Sequence, residues 1–337
     1  MASRLRDVAE LAGVSVKTVS NVVNGYRFIS PATKAKVESA IRELDYRPNV
    51  SARNLRRGRS GMIAVGVPSI RNAYFAELAQ LLVKEAQSRG LTVLVDCTDG
   101  VAERERLLTE GFHADFVDGL ILCPWQLTSA DLALRKDRTP LVLLGERLHE
   151  AADSVGVDSR AAARAATGHL LDQGCRKIGL VTPPPESVSP VVAELRRDGY
   201  SRALRKAGQR VDPDLIACPP SDEHGDLTGV LEPLLTAGAD GLFCFNDPLA
   251  LAAMRAVIAC GYRVPEDVAV IGIDDVTAGR YTTPSLSTVA PDKEGIARAA
   301  MDIVTRRIQA EPGAEPDSPR RVEAAFEVIA RESTRRD

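Results

Sequence analysis

The spacing of apolar positions changes character at about residue 60. Before it, the spacing is helical. Leu5, Val8, Ala9, Leu11 and Ala12 recur at three-to-four intervals with Asp7 and Glu10 between them, which predicts a first helix. Gly13 stands where that helix must turn. Ser15 is placed to cap a second helix, Val16–Val23, that buries Val19, Val22 and Val23 and exposes Lys17, Thr18, Ser20 and Asn21. Ser30-Pro31 opens a third, with serine as N-cap and proline at the first position, where its missing donor is not needed. Val37, Ala40, Ile41 and Leu44 give that helix one apolar face. Two short helices joined by a glycine-containing turn make a helix-turn-helix pattern, and the third helix closes a small core. Residues 1–45 therefore read as an all-α domain and 46–60 as a linker, with 61–337 as the remaining body.

In the body, short apolar runs alternate with helix-length amphipathic segments. The runs are Met62–Val67, Leu91–Val95, Gly119–Leu122, Leu141–Leu144, Ile178–Val181, Gly241–Phe243, Val268–Ile271 and Val322–Ile329. Helices are predicted over Tyr74–Arg89, Arg160–Gln173, Glu194–Lys206 and Pro248–Cys260. Repeated strand-helix-strand units imply doubly wound parallel sheets covered on both faces, and the length suffices for two subdomains.

Charge divides at the same boundary. Residues 1–60 hold 12 Lys/Arg against 5 Asp/Glu, and the rest holds 31 against 41, so a chain of net charge −3 carries a cationic head on an anionic body. A basic head suits a polyanion, because lysine and arginine near phosphates gain affinity through counterion release. A solvated basic face is the plainer alternative.

Other chemistries find little support. There is no phosphate loop, and no GxGxxG opens a helix after a strand. The six cysteines (97, 123, 175, 218, 244, 260) stand singly without CxxC spacing, as small core residues in a reducing compartment would. The Asp222-Glu223-His224-Gly225-Asp226 cluster lacks metal-site spacing and reads as a solvated loop. Asp274-Asp275 could exchange protons, but no nucleophile–base pair lies near it in sequence, so no enzyme, cofactor or metal is expected. Residues 1–30 contain no apolar core of about 7–15 residues, as a secretory signal needs. No run approaches the ~18 apolar residues of a membrane helix, so a cytoplasmic, nucleoid-associated protein is expected.

The segments DVAELAGVS, KTVSNVVNG, TKAKVESAIRELDYRPN and SARNL, in that order over residues 5–57, resemble the DNA-binding head of the lactose/galactose-repressor (LacI/GalR) family. The resemblance implies a recognition helix beginning at Val16 and Lys17, with Ser20 and Asn21 near bases or backbone. Thr18, Asn24 and the start of the Ser30 helix would hold phosphates, with Leu5 and Ser15 also assigned to the DNA surface. Asn21 departs from the arginine that many members carry. Arginine grips guanine, whereas asparagine prefers adenine. For residues 46–57 the family implies a hinge helix that folds on operator DNA, pairs with its twin and wedges a leucine into the minor groove. Leu55 matches that leucine. Tyr46, Asn49, Ala52, Arg53 and Arg56 are assigned DNA contacts with it, and Arg57 and Arg59 lie near flanking phosphates. A plain basic linker is the alternative.

The body resembles the family's periplasmic-binding-protein-like core, two lobes facing each other across a cleft with three chain crossings near residues 160, 290 and 320. That implies an N-subdomain of about 61–160 and 291–320 and a C-subdomain of about 161–290 and 321–337. Ligands on such sheets sit at the carboxyl ends of the strands. Asn72, Tyr74 and Phe75, Glu146-Arg147, Asn246-Asp247 and Asp274-Asp275 follow strand ends, Asp158 is near the first crossing, and Arg196 lies three residues before Gly199. Asn72, Tyr74, Phe75, Glu146, Asp158, Arg196, Asn246 and Asp274 match the family's effector shell, with Phe75 the candidate for stacking on a ring. Asn246 could merely cap a helix, Asp274-Asp275 could be a strand-end turn, Arg196 could be solvated and Phe75 could be core. Pro291 replaces a side chain that is often polar in relatives, and no Trp or Phe lies in Cys218–Asp226. A sugar or polyol is the expected effector class, with a nucleobase-like or acidic metabolite as alternatives.

The resemblance implies an effector-controlled repressor that binds a pseudopalindromic operator as a homodimer. Effector binding would rotate the lobes, favour or disfavour the paired hinge helices and so set DNA affinity. RESTRRD at the end leaves no room for a tetramerising heptad helix, so a dimer is expected. A solute-binding protein, or a sugar-metabolising enzyme with an appended DNA-binding head, are the competing readings.

Overall fold

The computed structural model describes residues 4–23, 26, 28–46, 59–111, 116–145, 152–219, 226–310 and 318–336. The chain divides into two compact units, one ending at Ser60 and the other starting at Gly61.

The first unit holds helices Leu5–Ala12, Val16–Val23 and Pro31–Glu43. Each boundary has a local cause. The Arg4 N–H donates to the Asp7 carboxylate at 2.7 Å, which opens the first helix. Gly13, at φ +64°, closes it in a left-handed turn, with Gly13 N–H on Glu10 O and Val14 N–H on Ala9 O. Ser15 Oγ accepts the Thr18 N–H at 3.1 Å, and Ser30 Oγ accepts the Thr33 N–H at 3.2 Å. Val8, Ala9, Val19, Val37 and Ala40 form the core, with Leu5, Val22, Val23, Ile41, Leu44 and Tyr46 packed around it. Leu11 departs from the predicted apolar face: it is 46% exposed. Val22 and Val23 are only half-buried.

The second unit contains two six-stranded sheets. Strands β1 (Met62–Val67), β2 (Thr92–Cys97), β3 (Gly119–Leu122), β4 (Leu141–Leu144), β5 (Asp153–Gly156) and β11 (Arg321–Glu323) form the first, in the order β11-β5-β4-β3-β1-β2, all parallel. Strands β6 (Ile178–Val181), β7 (Ile216–Ala217), β8 (Gly241–Cys244), β9 (Ala269–Ile273), β10 (Ser287–Pro291) and β12 (Phe326–Ile329) form the second, in the order β12-β10-β9-β8-β6-β7. Only the β10–β12 pair is antiparallel. Each sheet is covered by helices, and its core strands are buried on both faces, hence their continuous apolar runs.

The chain passes between the lobes three times: after β5, after β10, and between β11 and β12. The last passage corrects two expectations. The apolar run Val322–Ile329 is two strands in different sheets, not one. Its crossing lies at Ala324-Ala325 rather than near 320, because Arg321–Glu323 pairs with β5 as an edge strand of the first sheet.

Candidate functional site

A cavity of about 540 Å³ lies between the two sheets, lined from both lobes by residues that follow carboxyl ends of strands. The first lobe supplies Asn72, Tyr74 and Phe75 after β1, Trp125 after β3 and Gly145 after β4. The second supplies Pro183 and Pro184 after β6, Phe245 and Asn246 after β8, Asp274 after β9, and Arg196 from helix Pro190–Lys206.

Arg196 is fixed in place. One guanidinium nitrogen donates to the Phe245 carbonyl, another lies 3.9 Å from Asp274 Oδ1, and Nε reaches Ser159 Oγ at 3.4 Å. Its Cζ sits 4.4 Å from the centroid of the Phe245 ring, a cation–π contact. With 11% of its side chain exposed, Arg196 is no solvated surface residue. Asp274 is equally buried, at φ +124°, a conformation rare for a residue with a Cβ. Its N–H is tied to Val289 O at 2.9 Å, across the second crossing strand. Cation and carboxylate converge on a partly desolvated cavity, where they can donate to and accept from the hydroxyls of one ligand.

Asn72 and Asn246 are both helix caps and lining residues. Asn72 Oδ1 accepts the Tyr74 N–H and Asn246 Oδ1 accepts the Leu249 N–H, each at 3.0 Å. The cap commits the oxygen and leaves the amide NH2 as the group each offers the cavity. Phe75 lines the cavity and also packs on the first lobe's core, so its two readings hold together.

Asp158 does not reach the cavity. It caps helix Ser159–Asp172 through the Ala161 N–H at 2.9 Å, and its neighbours Val157 and Ser159 line the wall instead. Glu146 and Arg147 lie outside the described residues, as does most of the Asp222–Asp226 cluster. Asp275 likewise turns away from the cavity. Burial alone would raise its carboxyl, but Arg331 and Arg280 outweigh that and hold it below the usual range. Trp125 and Phe245 are lining residues that periodicity did not single out.

Polar contacts also bridge the lobes. Glu77, on helix Ala73–Ser88 of the first lobe, accepts the Thr277 N–H of the second at 2.9 Å and pairs with Lys293. Lys293 Nζ donates to the Asp275 carbonyl at 3.0 Å. Beside them Asp247, 1% exposed, accepts from Thr288 Oγ1 at 2.7 Å and the Val276 N–H at 2.9 Å. Burial nevertheless pushes its carboxyl up to about 6. The native state then holds this proton more tightly than the unfolded chain, whose aspartates titrate near ~4. Its contribution is fully present below about pH 4 and is lost as pH rises through about 6. Urea unfolding between these pH values should show that slope, and Asp247→Asn should flatten it. Superimposable slopes in the two proteins would remove Asp247 as the cause.

On the head, Ser15, Val16, Lys17 and Ser30 are exposed, while Thr18, Ser20 and Asn21 are half-buried. Ser15 and Thr18 hydroxyls lie 2.9 Å apart, so Ser15 serves its own helix first. Leu5 and Tyr46 pack on the head's core, and burial pushes the Tyr46 phenol up. Arg59 is described and exposed. Asn24, Asn49, Ala52, Arg53, Leu55, Arg56 and Arg57 lie outside the described residues.

A helix-turn-helix unit and a two-lobed core with a ligand cavity define a class, the ligand-responsive DNA-binding regulators. Comparison with known proteins agrees. Residues 4–49 match the lacI family of bacterial regulatory proteins, and residues 167–334 match the periplasmic binding protein-like domain. The chain is 33% identical over 334 residues to the ribose operon repressor of Halalkalibacterium halodurans, covering 98% of this chain and 97% of that protein. A LacI-family regulator from Sanguibacter keddieii shares 40% identity with a TM-score of 0.72, over 82% of this chain and 99% of that one. The lac repressor dimer bound to operator and the anti-inducer ONPF superposes with a TM-score of 0.83 at 26% identity, over 99% of both chains. The chain belongs to the lacI family of bacterial transcriptional regulators, whose members are regulators rather than enzymes. Among the described residues no helix is long and apolar enough to cross a membrane, and no cluster of metal-ligating side chains occurs.

Proposed function

We propose that this protein is an effector-controlled repressor, binding a pseudopalindromic operator as a homodimer in the cytoplasm, with a sugar or similar hydroxylated metabolite held between the lobes. The observation that carries the effector half is the Arg196–Asp274 pair, buried in a cavity that both lobes line. A ligand touching both lobes favours one relative orientation of them, and only such differential contact shifts a conformational equilibrium. The DNA half is supported by exposed Val16 and Lys17 at the start of the second helix, the end that meets base edges in the major groove. Thr18, Ser20 and Asn21 follow on the same helix, and Asn21 favours adenine in the half-site.

Dimerisation is supported by apolar side chains left uncovered on the core. β2 is an edge strand with Leu94 and Val95 exposed on opposite faces, and Tyr281 is 82% exposed. The relatives are named for a ribose operon and for an operator-bound dimer, which fits a sugar and a paired site. The assigned hinge leucine, Leu55, would link lobe orientation to DNA through an inserted wedge.

The test is selection of binding sites from random duplex DNA by the full-length chain. Recovered sites should be pseudopalindromes bound by two chains, with half-site centres one helical turn (about 10 base pairs) apart. Deleting residues 1–60 should abolish this binding while preserving ligand affinity. Retention of site-specific binding by the truncated protein would overturn the division of labour.

A further inference from the structure

Trp125 is the only tryptophan in the chain, and it stands half-exposed in the wall of the cavity. It is held there from three directions. Glu105, fully buried on helix Ala102–Thr109, accepts three successive backbone N–H groups: Trp125 at 2.7 Å, Gln126 at 2.9 Å and Leu127 at 2.8 Å. A buried carboxylate satisfied in this way fixes the backbone that carries the indole. The indole ring lies against Gly100, where a Cβ would stand only 2.3 Å from it, so no larger residue at position 100 leaves the ring where it is. The Phe75 ring, its centroid 6.2 Å away at 59°, supports it from the side. A residue meant only for the core would not be kept half-exposed by so much construction.

The rest of the wall is divided. Among the described residues its charged members are Arg71, Arg196 and Asp274, while much of the second lobe's contribution is apolar: Pro183, Pro184, Val192 and Leu249 among others. The volume of about 540 Å³ is in the range of sites that enclose drug-sized ligands, with room beyond a single sugar ring.

We infer that Trp125 is the stacking plate of this site, and that the effector is a sugar carrying a planar unsaturated ring. The hydroxylated part meets Arg196 and Asp274, and the planar ring lies on the indole. Phe75 supports Trp125 rather than stacking on the ligand itself. This rests on the cleft being the effector site, as proposed above. Two sources share the chemistry, a nucleoside and an aryl glycoside, and the experiment separates them.

The full-length protein is titrated with matched pairs: methyl β-D-ribofuranoside against adenosine and uridine, and methyl against phenyl glycosides of glucose and galactose. Binding is followed by calorimetry and by the emission of the single tryptophan. In at least one pair the ring-bearing compound should bind about tenfold more tightly and alter the emission. Trp125→Ala should erase that advantage while leaving the methyl compound within about twofold, and Trp125→Phe should restore part of it. Arg196→Ala should weaken both members of the pair. An advantage that survives Trp125→Ala, no advantage in any pair, or no binding by any compound overturns the proposal. Binding indifferent to Arg196→Ala as well as to Trp125→Ala would instead remove the cleft as the effector site.

Discussion

Arg196→Ala is expected to lower effector affinity by about 100-fold or more, while operator affinity without effector stays within about twofold. The guanidinium is bonded to Phe245 O, packed on the Phe245 ring and paired with Asp274. Truncation removes the ligand's cationic donor and unbalances the buried Asp274 carboxylate beside it. Removing a charged group that a bound ligand contacts typically costs about 2–5 kcal/mol of binding, and loss of the Arg196–Asp274 ion pair, 3.9 Å apart, lowers the stability of the free protein as well. Arg196 lines the cavity of the core while the DNA-binding helices belong to the separate unit that ends at Ser60, so DNA binding by the free protein should be spared. Coupling is reciprocal, so a variant that no longer binds effector must also lose the effector's influence on DNA. Calorimetry for effector and fluorescence anisotropy for labelled operator measure the two affinities. Full effector affinity in the variant would show that Arg196 only braces the Phe245 loop.

Gly199→Val should have the largest effect on stability, a loss of about 3 kcal/mol or more. Helices Ser159–Asp172 and Pro190–Lys206 cross so closely here that a Cβ on Gly199 would stand 2.3 Å from the Arg160 carbonyl oxygen and 2.9 Å from Ala163 Cβ. The nearest atom is backbone, which has no rotamer by which to withdraw, so the helices must separate. Ala162, Ala163 and Ala166, all buried, would then lose contacts, as would Tyr200, whose hydroxyl donates to Ile178 O at 2.7 Å. Arg196 lies one turn earlier on the same helix, so effector affinity should fall as well. Gly168→Ala is the control. A Cβ there meets nothing within 4 Å, and removing a glycine from a helix interior should stabilise by ~0.5–1 kcal/mol. Urea unfolding of the two variants measures the contrast, and equal stabilities would mean the helix pair is looser than its geometry.

The three helices of the head were legible because their signals are local. Ser15, Gly13 and Ser30-Pro31 act within a few residues of themselves, and the apolar spacing of Val8, Val19, Val37 and Ala40 selects their buried faces. The central strands of the body were legible for a similar reason, since a strand buried on both faces must be apolar throughout. Strands β5 and β10 were missed because their sequences, DSVG and STVAP, contain buried polar residues, of which Asp153, Ser287 and Thr288 are satisfied by partners distant in sequence. Asp153 is held by Arg307, and Ser287 and Thr288 by Ser333, Thr334 and Asp247.

The cavity divides in the same way. Asn72, Asn246 and Asp274 were found because strand ends place them, and a strand end can be read from an apolar run that stops. Trp125 also follows a strand end, that of Gly119–Leu122, but a strand end alone does not tell that its indole is held in the wall. Glu105 and Gly100, which hold it, lie on other segments, and the pairing exists only once the sheet has formed. Asp158 shows the converse, a polar residue at a crossing that the fold turns into a helix cap.

By itself, then, the sequence determined the caps, the helical and strand periods, the basic head on an acidic body and the strand ends where ligands gather, since each depends on residues close together along the chain. Only the tertiary structure decided that Arg196 pairs with Asp274, that Asp247 is buried near the contacts joining the lobes, and that Trp125 stands in the cavity wall. Those outcomes depend on which segments meet and how much water leaves when they do, and desolvation has no local signature in the chain.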